Sequence, residues 1–102
     1  MKITFYKICK KDDPKILYIG STKCFSSRRS RHKKNVTNKV GRLYHHQLYK
    51  TIRDAGGWIN FNMEKIYTKD FEHKHEYLLE EQALININLP SLNINKCIIK
   101  TT

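Results

Sequence analysis

A chain of 102 residues with 39% hydrophobic letters can close over one modest core, burying roughly two-thirds of its unfolded surface, and has no material for a second domain. Its formal net charge of +11 and pI near 9.7 draw it toward polyanions and make its encounters salt-sensitive. No apolar run is long enough to span a bilayer, and the apolar letters after Met1 are broken by Lys2 and Lys7 and stopped at Lys10-Lys11, so no secretory signal is expected.

Ile3–Cys9 and Ile16–Gly20 are rich in β-branched and aromatic residues, and Lys10-Lys11-Asp12-Asp13-Pro14 between them reads as a turn. The pair predicts a β-hairpin. With the turn centred near residue 12, Tyr6 falls opposite Tyr18 on one face. Ser21-Thr22-Lys23 supplies the cap of a helix running to about Asn35. One stripe of that basic helix reads Cys24, Arg28, His32, Val36, which places Arg28 and His32 on its least polar face. Thr37–Arg42 reads as a loop. A second helix is predicted over Leu43–Ala55, with Tyr44, Leu48, Ile52 and Ala55 as its apolar stripe and Gly56-Gly57 as its stop. Asn60–Tyr67 reads as a third strand, in which Phe61 and Met63 alternate with polar neighbours. A third helix is predicted over Lys74–Asn88, closed off by Pro90, and Asn93–Lys100 suggests a short extra strand.

This order predicts a single domain over residues 1–102, mixed α/β of the α+β kind. A small three-stranded antiparallel sheet, a hairpin plus a later strand, would be flanked by three or more helices. Charge is uneven along it. Residues 1–34 hold eleven Lys and Arg against Asp12 and Asp13, a net of +9, whereas residues 35–102 hold nine against seven, a net of +2. The first third is therefore the expected phosphate-facing third, although a solvated lysine-rich surface would carry the same letters. Cys9, Cys24 and Cys97 form an odd set without CxxC spacing. They read as reduced packing residues of a cytoplasmic or nuclear protein, not a secreted one. His45-His46 and His73-x-His75 lack cysteine partners and read as surface, not as a zinc site.

Glu81 is the residue most out of place. Its neighbours at helical spacing are Tyr77, Leu78, Leu84 and Ile85, and a carboxylate on such a stripe is costly unless a cation or donor compensates it. A structural ion pair with one of the many basic residues would account for it; so would metal or catalytic duty. Tyr6 and Tyr18 taken alone are ordinary cross-strand aromatics. Arg28 and His32 taken alone are ordinary polar helix residues.

Their joint spacing changes that balance. Tyr18-Ile19-Gly20-Ser21-Thr22, followed by Arg28 eight positions after the glycine and His32 one turn later, resembles the second half of the GIY-YIG nuclease signature. Glu81-Gln82-Ala83-Leu84-Ile85, then Pro90 and Asn93, is similar to that family's C-terminal pattern. Thr4-Phe5-Tyr6 stands where the family has Gly-Ile-Tyr, so the tyrosine is kept and a residue allowing close backbone approach is replaced.

The resemblance, from about Ile3 to Asn93, implies the GIY-YIG nuclease fold and a metal-dependent endonuclease that hydrolyses DNA phosphodiester bonds with low intrinsic sequence specificity. It implies that Tyr6, Tyr18, Arg28, His32, Glu81 and Asn93 converge on one phosphodiester. Glu81 would hold a single Mg²⁺ or Mn²⁺ ion otherwise ligated by water and phosphate oxygen, and the ion and Arg28 would stabilise charge developing on the phosphate. Tyr6 is the first choice of general base, with Tyr18 positioning the water. A phenol of pKa about 10 needs nearby positive charge for that task. His32 would share the base or relay role or stabilise the leaving oxygen, and Asn93 would order the site through hydrogen bonds. Lys23, Arg29, Arg31, Lys33 and Lys34 are the expected backbone contacts to double-stranded DNA. No membrane and no obligate protein partner are expected, and the segment after Asn93 is too short for a separate targeting module. Two other readings stand beside this one: a non-catalytic basic nucleic-acid-binding module of the same fold, and an interaction domain for an acidic protein.

Overall fold

The computed structural model describes residues 1–93. Its elements run β1 (Lys2–Lys10), β2 (Ile16–Thr22), α1 (Phe25–Thr37), α2 (Gln47–Asp54), a 3-10 turn (Trp58–Asn60), β3 (Phe61–Asp70) and α3 (Lys74–Asn88). The expected α+β architecture is present: one antiparallel sheet of three strands in the order β2-β1-β3, the hairpin plus a later strand, with three helices. The strand expected over Asn93–Lys100 lies, apart from Asn93, outside the described residues. No helix of the described residues is long and apolar enough to cross a membrane.

Because β1 is central, both of its faces are covered and its apolar residues do not simply alternate. Ile3, Phe5, Tyr6 and Ile8 have no exposed surface. On one face Tyr6 and Ile8 join Val36 of α1, Leu48, Tyr49 and Ile52 of α2, and Phe61 and Met63 of β3. On the other, Phe5 packs on Tyr67 and Phe71 at ring distances of 5.2 and 5.8 Å, and Phe71 meets Tyr77 of α3 at 6.0 Å. The sheet is thus the middle layer of three. Each aliphatic or aromatic side chain fully buried this way contributes roughly 1.5–3 kcal/mol.

Several local expectations need correction. The hairpin register places Tyr6 opposite Gly20, and Tyr18 opposite Ile8. The turn, residues 11–15, is centred one position later than expected; Asp13 N–H reaches Lys10 O and its carboxylate accepts the Lys15 N–H at 3.0 Å. Tyr6 and Tyr18 still share a face, two positions apart along the sheet. Next, β2 continues to Thr22, and α1 begins at Phe25 after Cys24 rather than at Lys23. The Thr22 hydroxyl accepts the Cys24 N–H at 3.1 Å, so it supports the entry turn without being the cap. Cys24 is exposed, unlike buried Cys9, and only the latter is a packing residue; Cys97 lies outside the described residues. Finally, α2 starts at Gln47, four residues late, because His46 caps it by accepting the Leu48 N–H on Nδ1 at 3.4 Å. Tyr44 instead lies under the Arg53 guanidinium, 3.7 Å from ring centre, while Arg53 donates to Val36 O at 3.0 Å. That pair ties the end of α2 to the end of α1.

β3 runs on to Asp70, past the expected end at Tyr67, because it pairs with β1 along the whole of Lys2–Lys10. The expected bounds of α3 are the observed ones. Thr4 pairs with Thr22 on one side and Thr68 on the other. Its hydroxyl bonds that of Thr68 at 2.9 Å, so the side chain is accommodated within a row of threonines.

Candidate active site

The site is built around Tyr6. Its ring crosses the backbone of Gly20, the residue opposite it in the sheet, and a Cβ at Gly20 would strike the Tyr6 hydroxyl. The glycine of Tyr18-Ile19-Gly20 is therefore the seat of the other tyrosine. The Tyr6 hydroxyl lies 2.8 Å from His32 Nε2. His32, buried on α1, has its other ring nitrogen 2.8 Å from the Tyr49 hydroxyl, and Asn35 Nδ2 donates to that same hydroxyl at 3.3 Å. Trp58 stacks nearly parallel to the imidazole, 6.3 Å away with planes at 16°. Tyr18 meets His32 edge-on at 5.9 Å and Tyr6 at 6.4 Å. The α1 stripe read from sequence is thus real for Arg28, His32 and Val36: His32 and Val36 are buried and Arg28 half-buried.

Burial favours the neutral forms of Tyr6 and His32. It pushes the Tyr6 phenol well up, helped by Tyr18 and Glu81 and opposed by the Arg28 guanidinium. His32 is pushed down to about 4 by burial and then by the charges of Arg28, Arg31 and His46. Glu81, half-buried on α3, accepts a hydrogen bond from the Ser21 hydroxyl, which links it to the end of β2. Glu80 turns the other way: it accepts from the Tyr67 hydroxyl and, at 3.1 Å, from Lys69. Of these two adjacent carboxylates, Glu81 is the one beside Tyr6.

Asn93 brings the chain back to β2. Its Oδ1 accepts the Ile19 N–H and its Nδ2 donates to the Ile19 carbonyl, both at 2.8 Å. The side-chain amide thus pairs with both backbone groups of the residue between Tyr18 and Gly20, as a neighbouring strand would. Leu92 N–H adds a bond to Leu17 O at 2.8 Å.

A cleft of about 280 Å³ opens at the start of α1, lined by Ser21, Thr22, Lys23, Cys24, Ser27, Arg28, Arg31 and Tyr77. Three cations and four hydroxyls in so small a space suit a phosphate group. A larger cleft of about 400 Å³ lies at the hairpin turn among Lys7, Lys10, Lys11, Asp13 and Glu64, and neither Arg28 nor Ser21 lines it. Of the basic residues expected to meet DNA, Lys23 and Arg31 line the first cleft with Arg28. Arg29 instead lies over Phe25 at 5.6 Å and lines a separate cleft with Lys11 and Trp58. Lys33 and Lys34 are exposed on α1 and line neither of these clefts.

Four participants escaped the sequence reading. Tyr49 was passed over because the α2 stripe was drawn through Leu48 and Ile52; a stripe one residue wider would have included it. Trp58 lies in an irregular segment with no periodic signal. Ser21 appeared only as a helix cap and motif letter, and Gly20 only as a motif letter. Among the described residues no three His, Cys, Asp or Glu side chains come together as a metal site, so a cation here would rest on the single carboxylate of Glu81, with water and phosphate completing its shell. Hard oxygen donors of this kind fit Mg²⁺ or Mn²⁺. No family model matches the chain, and no curated protein or solved structure matches it.

Proposed function

We propose that the chain is a nuclease domain of the GIY-YIG type that hydrolyses phosphodiester bonds of DNA with one divalent ion held by Glu81. The observation that carries this reading is convergence: His32 of α1 hydrogen-bonds the Tyr6 hydroxyl of β1, the Tyr18 ring of β2 meets both, Ser21 ties Glu81 of α3 to the end of β2, and Ser21 and Arg28 line one basic cleft. Residues far apart in sequence have little structural reason to gather so many ionisable groups in one partly buried place.

In this reading Arg28 holds the scissile phosphate, using a planar guanidinium that donates two parallel hydrogen bonds. Lys23 and Arg31 bind the adjoining backbone, and association is electrostatic with little sequence preference. A bound ion would supply charge neutralisation at the phosphate. Tyr6 first passes its own proton to His32 Nε2, 2.8 Å away, and the phenolate so formed takes the proton of the attacking water, which Tyr18 orients. Positive charge that lowers the cost of a Tyr6 phenolate comes from Arg28, which pulls its pKa down. Asn93 keeps β2, and with it Tyr18 and Gly20, in register.

The test uses supercoiled plasmid with Mg²⁺, Mn²⁺ or chelator, and the parent protein beside Glu81→Gln. The parent should nick DNA only with metal; the variant should retain salt-sensitive binding and lose cutting. A parent that binds DNA yet cuts nothing with either metal would replace this reading with the binding-module one.

A further inference from the structure

We propose that the cleft between Trp58 and Arg29 seats one unpaired base of the bound DNA, so that the protein selects duplexes carrying an unpaired nucleotide. The ligand class rests on the DNA reading above; whether the bound strand is cut does not enter.

Two clefts flank α1, and their walls differ in kind. The one at the start of the helix offers cations and hydroxyls, which suit a phosphate. The other, of about 310 Å³, joins an apolar wall of Trp58, Ile59, Phe61 and Met63 to the cations Lys11 and Arg29. Its carboxylate, Glu64, lies 3.9 Å from Lys7, and the Lys65 ammonium is close by, 5.3 Å from the Phe25 ring that also carries Arg29, so the surroundings stay positive. An apolar wall beside cations fits a flat ring attached to an anion, which is the chemistry of a nucleotide: the base stacks on an aromatic face and its phosphate meets the guanidinium. Trp58 is already fixed for that task. Its indole stacks on His32, 6.3 Å away with planes at 16°, and packs against the core, yet remains part-exposed in the cleft wall. Binding therefore costs little side-chain ordering. Ile59 beside it is 73% exposed and gives apolar surface for a ring to cover. A base inside a duplex has both faces stacked on its neighbours and cannot offer one to Trp58; a base out of the stack can. Position agrees with chemistry. Arg28 and Arg29 are consecutive on a helix roughly 10–12 Å across, so a strand with a phosphate on Arg28 reaches the second cleft within roughly three nucleotides at ~3.4 Å each. An acidic protein segment would use the cations and leave the indole face unexplained.

The experiment compares three end-labelled duplexes with the full chain, in chelator and at one salt concentration: fully paired, with a one-nucleotide bulge, and with the same bulge made abasic. Trp58 is the only tryptophan of the sequence, so its emission reports on the cleft. The bulge that keeps its base should quench that emission and bind roughly tenfold more tightly than the abasic one, the lower part of what one base–aromatic stack contributes. Trp58→Leu keeps an apolar side chain against the core; it should lose the tenfold preference, read by anisotropy of the label, and bind the paired duplex as the parent does. Ile59→Ser, at an exposed position where folding is not at stake, should narrow the preference by roughly threefold, the contact of about one buried CH₂. Equal affinity of the parent for the two bulges, or emission that neither of them moves, would overturn the proposal. Quenching by an acidic peptide and not by the bulge would overturn it in favour of a protein partner. Base-dependent quenching in a protein that cuts nothing with Mg²⁺ or Mn²⁺ would uphold it and remove the nuclease reading instead.

Discussion

Acid should destabilise this protein chiefly through His32. The side chain is 4% exposed, and burial, with Arg28, Arg31 and His46 around it, holds its pKa near 4 against an ordinary 6.5. The folded state therefore refuses a proton that the unfolded chain accepts. Stability is complete above about pH 6.5, falls as pH drops toward 4, and levels off below that value. A depression of this size corresponds to about 3 kcal/mol across the window, a large share of the 5–15 kcal/mol on the order of which small domains depend. Urea denaturation of the parent and of His32→Gln, at intervals from pH 7 to pH 4, measures it. The carboxylates and the other histidines titrate in both proteins and cancel in the difference. The parent should lose stability faster than the variant over that window by about 3 kcal/mol. Parallel curves would refute the argument, because they would mean that His32 becomes charged in the folded protein without cost.

Further outcomes follow from the same geometry. Gly20→Ala puts a methyl group onto the Tyr6 hydroxyl; displacement of the ring should cost about 1–3 kcal/mol in thermal or urea melts and abolish cutting, with DNA binding retained in a gel-shift assay. Asn93→Ala strips Ile19 of both partners and should destabilise the fold by roughly 1–3 kcal/mol, with a cleavage loss larger than any loss of affinity. Arg28→Lys should reduce turnover far more than binding, since an ammonium cannot reproduce two parallel donors. Arg31→Ala should weaken binding and lower the salt slope by about one, whereas Arg29→Ala, which removes no wall of the Arg28 cleft, should leave turnover near the parent's value. Cleavage as damaged in Arg29→Ala as in Arg28→Lys would place the phosphate on the other side of α1.

Length, periodicity and turn residues determined the α+β order of this chain, because each depends on a period of 2 or 3.6 that a few residues suffice to display. Lys74–Asn88 shows how far that goes: charged and apolar letters at helical spacing, stopped by Pro90, gave both ends of α3. The unusual place of Glu81 was equally legible, since a carboxylate flanked by Tyr77, Leu78, Leu84 and Ile85 violates the helix's own pattern. The same local logic misplaced the start of α2, where the stacking of Arg53 on Tyr44 outweighs the helical preference of residues 43–46. It also shifted the hairpin register, because nothing in the strands says how many residues a turn containing Pro14 will take.

What the tertiary structure alone decided is which atoms face each other. Gly20 lies under Tyr6 only because β1 and β2 pair in one register and not its neighbours. Tyr49 reaches His32 only because α2 folds back across α1, 17 residues later in the chain. Glu81 rather than Glu80 stands beside Tyr6 because α3 is rotated to send Glu80 toward Tyr67 and Lys69. Residue types and spacings report the chemistry a chain carries. The partner of a hydrogen bond or the rotation of a helix is set by side chains distant in sequence, through packing that no local pattern encodes.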